Sequence, residues 1–457
     1  MGASLNFANW ATRFRIKRPL SRKLRIAPEE LLDGAKPSAL TRFAADPDLD
    51  PLSGAIDFLL ATYAGDEARA RRALARLDAE ATSSLLAENE LRKLIVASFR
   101  RALGKGVVDG AKAALLLDFA RRFDPLFAAL ARPPAARPSP EVLSFDYVRQ
   151  LSPKLRVVLM CGARGAARPH DLGLRLASAF TTADVTCTLM PGEADARDIG
   201  PNDLVVVDEN TVFRKDPARQ QAHLDRVRQV SKRMCRLVPD PWGKGFHEQF
   251  DRGADRYDFH WGMSPALRQA TPAIPPEKFC LIPFPTGYGR MFDEFATAPA
   301  PRPDLGFCGT IEDYNIHRYF WLLDALARGS SLKIDLTSQQ PDGLDADASL
   351  RLYLGRLLST GACLSLTMRS TGDRILVGRT FDVLRGGRLL VQEYTPDARY
   401  YLKPGEDFVE VADSGDLRET GEQVRAGAYE RVRAQGAATF ARAYSDQAVI
   451  RHLATWV

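Results

Sequence analysis

A short stretch near the end of the chain carries an arginine and an aspartate at a spacing that suits the binding of an anion. Arg379 and Asp382 lie in the first turn of a helix predicted over residues 379–384, which Gly386 and Gly387 stop. The free N–H groups and the positive dipole end of a helix attract negative charge, and an arginine adds a bidentate fork for a phosphate. The alternative is a helix-surface pair in which the acid favours the dipole.

The segments around this helix alternate between apolar runs and helical patterns. One apolar run ends at Gly309 ahead of a predicted helix, and another, Leu389 to Val391, follows Gly387 directly. Parallel strands need crossover helices of this kind between them. The last third of the chain is therefore predicted to form a parallel α/β domain.

The middle of the chain repeats the alternation. Buried strands are predicted at residues 155–160, 184–190, 203–208 and 236–238, with helices over residues 171–180 and 218–234. Such an order indicates a doubly wound α/β unit. Its first loop holds Gly162 and Gly165, but Arg168 stands where the dinucleotide fingerprint needs a third glycine, which disfavours an NAD site.

Ahead of this unit lies a region with helical periodicity, residues 51–132, followed by a linker that holds four prolines between Ala131 and Pro140. We place the domain boundaries at residues 1–135, 136–290 and 291–457, with a hinge at residues 284–303. The helical region holds no chemical cluster, so we expect it to select the acceptor or a partner. We also expect a chain that begins near Ser144 to fold without it.

Several short motifs of the last domain occur in an order that resembles a known family. They are Phe307 to Thr310, Arg318, Arg379 with Asp382, Gly387, Gly405 with Glu406, and Asp416 with Leu417. Together they resemble the C-terminal half of GT-B glycosyltransferases, especially the group 1 branch typified by CgeB-like spore-maturation proteins. Exostosin-type glycosyltransferase domains share much of this layout and are the nearest alternative.

The resemblance implies an α/β fold class with two Rossmann-like doubly wound domains facing a cleft, here preceded by a small all-helical N-terminal domain. The first of the two would bind the acceptor and the second a nucleotide-sugar donor. We expect the last helix, residues 445–456, to pack back across the cleft.

The same resemblance assigns donor-binding residues one by one. They are Gly309, Arg318, Arg379, Asp382 and Gly387. Arg379 and Arg318 would face the diphosphate, and Asp382 would face the ribose hydroxyls. Family members more often carry glutamate at this last position, and retaining relatives carry a second glutamate eight positions earlier, where this chain has Arg374.

A catalytic base is expected on the first α/β domain, because an inverting enzyme must deprotonate the acceptor hydroxyl. His170, in the loop after the first strand, is the best placed by topology, and Asp240 stands behind it; a surface histidine is the alternative. Asp345 and Asp347 match the metal-binding D-x-D of other glycosyltransferases. They precede a predicted helix, which favours capping. GT-B enzymes generally need no bound metal, so we expect neither a metal nor a cofactor.

Composition places the chain among globular proteins. It has 457 residues, of which 45% are hydrophobic and 26% charged, and no apolar run is long enough to span a bilayer. The six cysteines are scattered singly, as in proteins of reducing compartments, and the first residues lack an apolar signal core. We expect a cytoplasmic protein.

A basic segment lies near the start of the chain. Residues 13–25 hold seven arginines and lysines, no acid, and interleaved apolar residues. This pattern is typical of a contact with anionic lipid at the inner membrane face or with an acidic partner, and the alternative is a solvated arm. The net charge of +6 comes with no recognisable nucleic-acid module, so no specific nucleic-acid partner is predicted.

The prediction from sequence is a metal-independent glycosyltransferase of the hexosyltransferase type. It would move a sugar from a nucleotide-diphosphate donor to a hydroxyl of a glycan, lipid-linked or protein acceptor, as in bacterial surface glycan synthesis or protein glycosylation. One alternative is a nucleotide-sugar epimerase or polyol-phosphate transferase on the same scaffold. Another is a non-catalytic glycan- or partner-binding protein that retains the fold, which the missing glutamate keeps open.

Overall fold

The structure is a computed structural model of the chain. It describes residues 51–87, 90–130, 155–161, 172–213, 216–239, 250–251, 253–271, 273–296, 302–312, 315–337, 344–368 and 374–457. Among these residues, no helix has the length and apolar character that crossing a membrane requires.

The first α/β domain is built on a parallel sheet of six strands in the order β2-β1-β3-β4-β5-β6. The strands are β1 Arg156–Met160, β2 Thr186–Met190, β3 Leu204–Val207, β4 Met234–Val238, β5 Phe259–Gly262 and β6 Phe279–Leu281. Every residue of β3, β4 and β5 is buried, as expected for the interior strands of a sheet covered on both faces. The four strands predicted from sequence in this domain correspond to β1 to β4.

The second α/β domain has a parallel sheet of five strands in the order β11-β10-β9-β7-β8. They are β7 Arg302–Gly309, β8 Lys333–Leu336, β9 Thr360–Ser365, β10 Leu389–Glu393 and β11 Val409–Val411. All strand pairings of the two sheets are parallel. The predicted fold class, two doubly wound α/β domains preceded by helices, is confirmed.

Helices connect the strands and precede the first sheet. The helical region contains α1 Pro51–Ala64, α2 Glu67–Arg76, α3 Ala79–Ala87, α4 Glu90–Gly104, α5 Gly110–Phe123 and α6 Pro125–Leu130. The first domain contains α7 Leu172–Thr182, α8 Pro217–Val230 and α9 Ala266–Ala270, and α10 Gly289–Ala296 leads out of it. The second contains α11 Ile316–Ala327, α12 Ala346–Leu357, α13 Arg379–Arg385, α14 Pro396–Tyr401, α15 Leu417–Arg425, α16 Glu430–Thr439 and α17 Asp446–Ala454.

The helical region packs against α11 of the second domain. The ring of Phe99 meets Tyr319 edge-on at a centroid distance of 4.9 Å, and Phe127 meets Phe320 in the same way at 5.0 Å. Buried side chains of α1 to α6 and of the second sheet belong to one continuous hydrophobic core. The domain boundaries drawn from sequence stay predictions, but this shared core is not what a separately folding helical region would show.

The last helix, α17, packs on the first domain. Val449, Ile450 and Leu453 share a core with residues of β1 and β5, and the ring of Trp456 lies 5.3 Å from that of Phe259. The chain thus returns from the second domain to the first. The expectation that the last helix packs back across the two domains is confirmed.

The segment that crosses between the two domains is fixed by close backbone packing. Gly287 has a left-handed φ of 64°, and a Cβ there would lie 2.4 Å from the carbonyl oxygen of Arg175 on α7, so only glycine fits. The Gly287 N–H donates to the carboxylate of Asp446 at 3.1 Å, and Arg385 of α13 binds the same carboxylate at 2.8 Å. The start of α17 therefore ties the crossing segment to the second domain.

Candidate functional site

The candidate site lies at the carboxyl edge of the second sheet, where β7, β9 and β10 end. Ligands of doubly wound sheets bind at this edge, since the loops that follow the strands are free to surround them. Helix α13 begins with Arg379 and packs on both β9 and β10. The structure brings Gly309, at the end of β7, and Arg379 together, and their role in donor binding stays a prediction.

The Arg379 guanidinium lies directly over Gly309. A Cβ at position 309 would be 2.8 Å from Nη2 and 3.0 Å from Nη1 of the arginine, so a side chain there would displace the guanidinium from its present position. The guanidinium carbon is also 5.7 Å from the centre of the Phe307 ring, within reach of a cation–π contact. Within the described part of the chain, the buried Nε and Nη1 atoms have no hydrogen-bond partner.

Among the residues that the structure describes, the groups around Arg379 do not neutralise its charge. Burial raises the pKa of the Cys308 thiol to about 12 and that of Cys363 to about 11, so both are uncharged at neutral pH. Burial also raises the pKa of the Tyr353 hydroxyl, which lies beside Arg379, well above its ordinary value. A buried cation with open donor positions is costly for a protein, and an anionic ligand would satisfy it.

Asp382 has a different environment from the one predicted. Its two carboxylate oxygens accept from the two terminal nitrogens of Arg175 on α7 of the first domain, each at 3.0 Å. The Tyr353 hydroxyl donates to the same carboxylate at 3.1 Å, and Asp382 is only 1% exposed. A ribose contact by Asp382 stays a prediction, and it would require the pair with Arg175 to open.

Arg318 and Gly387 have roles in the fold that their surroundings explain. Arg318 is buried and donates to the carbonyl oxygens of Leu366 at 3.2 Å and Thr310 at 3.0 Å, which links the chain after β9 to the chain after β7. Gly387 has a left-handed φ of 64° and its N–H donates to the Leu384 carbonyl, so it terminates α13. Direct donor contacts by either residue stay predictions.

A buried carboxylate that the sequence analysis missed contacts residues on the stretch between β9 and α13. Glu393, at the end of β10, is fully buried, and its Oε1 lies 2.7 Å from Nε2 of His317. Its Oε2 accepts from the backbone N–H of Thr367 at 2.8 Å, and Arg374 lies 3.6 Å from Oε1. A glutamate at the carboxyl end of the buried strand β10 was the available signal, since a buried carboxylate needs partners.

We expect the ionised form of Glu393 to stabilise the fold in a pH-dependent way. Burial raises the pKa of Glu393, but His317, Arg374 and the Thr367 N–H outweigh burial, so the pKa lies below its ordinary value of 4.5. A depressed pKa contributes stability that is present above 4.5 and is lost as the pH falls through the folded value. We compare the free energy of unfolding of wild type with that of Glu393→Gln, measured in urea from neutral pH to below 4.5. The difference between the two proteins should be largest at neutral pH. A difference that does not shrink in acid would contradict this role.

The helical region reaches the loop after β7. Arg100 of α4 forms an ion pair with Glu312 and donates to the Ile311 carbonyl at 3.5 Å. The Glu312 N–H in turn donates to Asn315 at 2.6 Å, and Asn315 donates to the Thr310 hydroxyl at 3.3 Å. The helical region therefore contacts, through Arg100, the loop that directly follows Gly309.

The predicted catalytic residues His170 and Asp240 lie outside the described residues, so their assignment stays a prediction. Asp345 is described, and its side chain accepts from the Ala348 N–H at 2.7 Å at the start of α12. The expectation that this aspartate caps a helix is confirmed.

Comparison with known proteins gives matches among solved structures alone. No family model matches the chain, and no curated protein sequence does. The Anabaena HepE structure with UDP and glucose is 10% identical with a TM-score of 0.44, over 66% of this chain and 98% of that chain. An alpha-glucosyltransferase with UDP-glucose and DNA is 11% identical with a TM-score of 0.46, over 66% and 98%. A Rickettsia africae glycosyltransferase is 8% identical with a TM-score of 0.42, over 66% and 98%.

The likeness is one of fold. At identities and TM-scores as low as these, it assigns no substrate and no residue to this chain. The argument for function rests on the chemistry at the carboxyl edge of the second sheet.

Proposed function

We propose that this chain is a glycosyltransferase of the GT-B type, similar to the CgeB-like branch, that takes its sugar from a nucleotide-diphosphate donor. The observation that carries the proposal is the Arg379 guanidinium, which lies over Gly309 at the carboxyl edge of the second sheet with two open, buried nitrogens. A diphosphate presents acceptor oxygens in the planar arrangement that a guanidinium fork matches.

The chemistry follows from charge. When the sugar leaves, negative charge develops on the diphosphate, and a cation already held in a desolvated position stabilises that charge without reorganisation. Arg379, at the first turn of α13, is such a cation, with the helix dipole adding to its effect. Metal-independent transfer of a hexose would use this arrangement in place of a divalent ion.

The first domain would bind the acceptor, a hydroxyl group of a glycan, a lipid-linked precursor or a protein. Transfer with inversion needs a general base within hydrogen-bond reach of that hydroxyl, and His170 and Asp240 are the candidates. The basic segment at residues 13–25 would bring a cytoplasmic enzyme to anionic lipid at the inner membrane face, which suits work on surface glycans.

The proposal is tested with the full chain and a panel of nucleoside diphosphates. UDP, GDP, ADP and TDP are screened by thermal shift, where a ligand at a hundred times its Kd stabilises a fold by about 2.7 kcal/mol. The matching nucleotide sugars, labelled in the sugar, are then incubated with the protein and cell-derived acceptors. Labelled product that forms with wild type and is absent with Arg379→Ala supports the proposal. The absence of binding by every nucleotide would overturn it.

A second candidate is a non-catalytic glycan- or partner-binding protein on the same fold. The Arg175 and Asp382 pair favours it, because both carboxylate oxygens that the ribose would need are occupied. Release of sugar from a donor in the absence of acceptor, lost in Arg379→Ala, would exclude it. Nucleotide binding with no turnover of any donor would favour it.

A further inference from the structure

A row of polar side chains crosses from one α/β domain to the other at the candidate site. Arg379 lies beside the hydroxyl of Tyr353, that hydroxyl donates to Asp382, and Asp382 accepts from Arg175 of the first domain. The Arg175 side chain is nearly inaccessible, at 7% exposure for the residue. The sequence gives no sign of this row, since its two ends are separated by about two hundred positions.

The charges in this row do not balance. Arg175 and Arg379 each carry a positive charge, Asp382 carries the negative one, and burial keeps the Tyr353 hydroxyl protonated by raising its pKa. Over the residues that the structure describes, Nε of Arg175 and Nε and Nη1 of Arg379 are buried and unbonded. One uncompensated positive charge and three nitrogens with open N–H groups together indicate a place for an anion.

The backbone around Arg175 packs closely against the segment that joins the two domains. Its carbonyl oxygen packs so tightly against Gly287 that no side chain would fit there. One turn further along α7, the Ser178 hydroxyl accepts from the Tyr288 N–H at 2.8 Å. A ligand that binds Arg175 and Arg379 at once therefore contacts both domains, next to the segment around Gly287 that connects them.

We propose that Arg175 is a second ligand of the donor diphosphate and that Asp382 is an internal anion that competes with the diphosphate for it. The inference rests on the proposed function and adds a residue from the first domain to the donor site. An arginine has five N–H donors, of which Asp382 engages two, so a phosphate oxygen can approach Nε or displace the carboxylate. Removal of the Asp382 charge should then strengthen diphosphate binding, whereas a ribose-binding role for Asp382 predicts weaker binding.

Inorganic pyrophosphate separates these roles, because it has the two phosphates and no ribose. We expect Asp382→Asn to bind pyrophosphate about fivefold more tightly than wild type or better, as one competing charge is removed. In the Asp382→Asn background, Arg175→Met should weaken binding roughly ten- to a hundredfold, through the loss of a charge-assisted contact. The double variant leaves no buried carboxylate unpaired, so its fold should tolerate the change better than Arg175→Met alone.

Arg385→Met is the matched control. Arg385 also pairs with a buried aspartate at the boundary between the domains, Asp446, yet it belongs to no part of the row of polar side chains. Calorimetric titrations of pyrophosphate and UDP into the full-length protein should give the control an affinity for both ligands near that of wild type, and melting temperatures are recorded for each variant to show that it is folded. A pyrophosphate affinity in the Arg175→Met, Asp382→Asn double variant equal to that of Asp382→Asn alone, with affinity lost in Arg379→Ala, would overturn the inference and leave the proposed function intact. Failure of wild type to bind any nucleoside diphosphate would overturn the proposed function instead.

Discussion

A chain that begins near Ser144, without helices α1 to α6, is expected to be unstable or insoluble and to bind no nucleotide. The physical reason is the core that these helices share with the second sheet. Their removal would uncover the outer face of α11, where Tyr319 and Phe320 now meet Phe99 and Phe127. It would also release Glu312 in the loop after β7 from Arg100. Circular dichroism and thermal unfolding of this shortened chain are the measurements.

A single substitution tests the packing of the helical region on α11 without removing whole helices. Phe99 is fully buried, and Phe99→Ala removes the ring that packs on Tyr319, so we expect a loss of about 3 to 5 kcal/mol in the free energy of unfolding. Arg71→Ala is the control, because Arg71 pairs with Glu67 on the exposed surface of α2 and such pairs contribute at most about 1 kcal/mol. If the shortened chain has the same melting temperature as the full chain, the helical region is an independent domain, as the proline-rich linker indicated, and the shared-core prediction is wrong.

The sequence predicts the alternation of strands and helices well, because the evidence for it is local. Strands β1 and β3 hold five valines, which are β-branched, and their buried residues, Val157 to Met160 and Leu204 to Val207, are all apolar, as buried parallel strands need. Gly387 ends α13 because only a left-handed residue can turn the chain there. Such signals lie within a few residues of the structure that they predict.

The parts that sequence reasoning did not find depend on distant contacts. Arg175 reads as one more basic residue on an amphipathic helix, and nothing near it indicates that its partner is Asp382, on the other domain. Four prolines after the helical region indicate a boundary, yet the packing of Phe99 on Tyr319 joins what the linker divides in sequence. Pairings of this kind have no local pattern.

The second large effect is expected at the donor site. Arg379→Ala should weaken the binding of the preferred nucleoside diphosphate roughly ten- to a hundredfold, because a charged hydrogen bond contributes about 1.5 to 3 kcal/mol. Arg379→Lys should recover part of the loss, since an ammonium supplies the charge but not the bidentate fork. The guanidinium lies over Gly309 with open nitrogens and does not brace a neighbouring carboxylate, so the fold should withstand both changes.

Arg351→Ala is the matched control for this substitution. Arg351 lies on α12 and forms an ion pair with Glu294 on the exposed surface. Its replacement changes the net charge by the same amount as Arg379→Ala. It should leave nucleotide affinity near that of wild type, which separates a local contact from a general electrostatic effect.

Calorimetric titration of the preferred nucleoside diphosphate into wild type, Arg379→Ala and Arg351→Ala tests the central claim most directly. We expect one site per chain in wild type, the same site in Arg351→Ala, and a tenfold or greater loss of affinity in Arg379→Ala, roughly 1.4 kcal/mol or more, at an unchanged melting temperature without ligand. Equal affinity in all three proteins would contradict the claim that the Arg379 guanidinium holds the diphosphate of the donor.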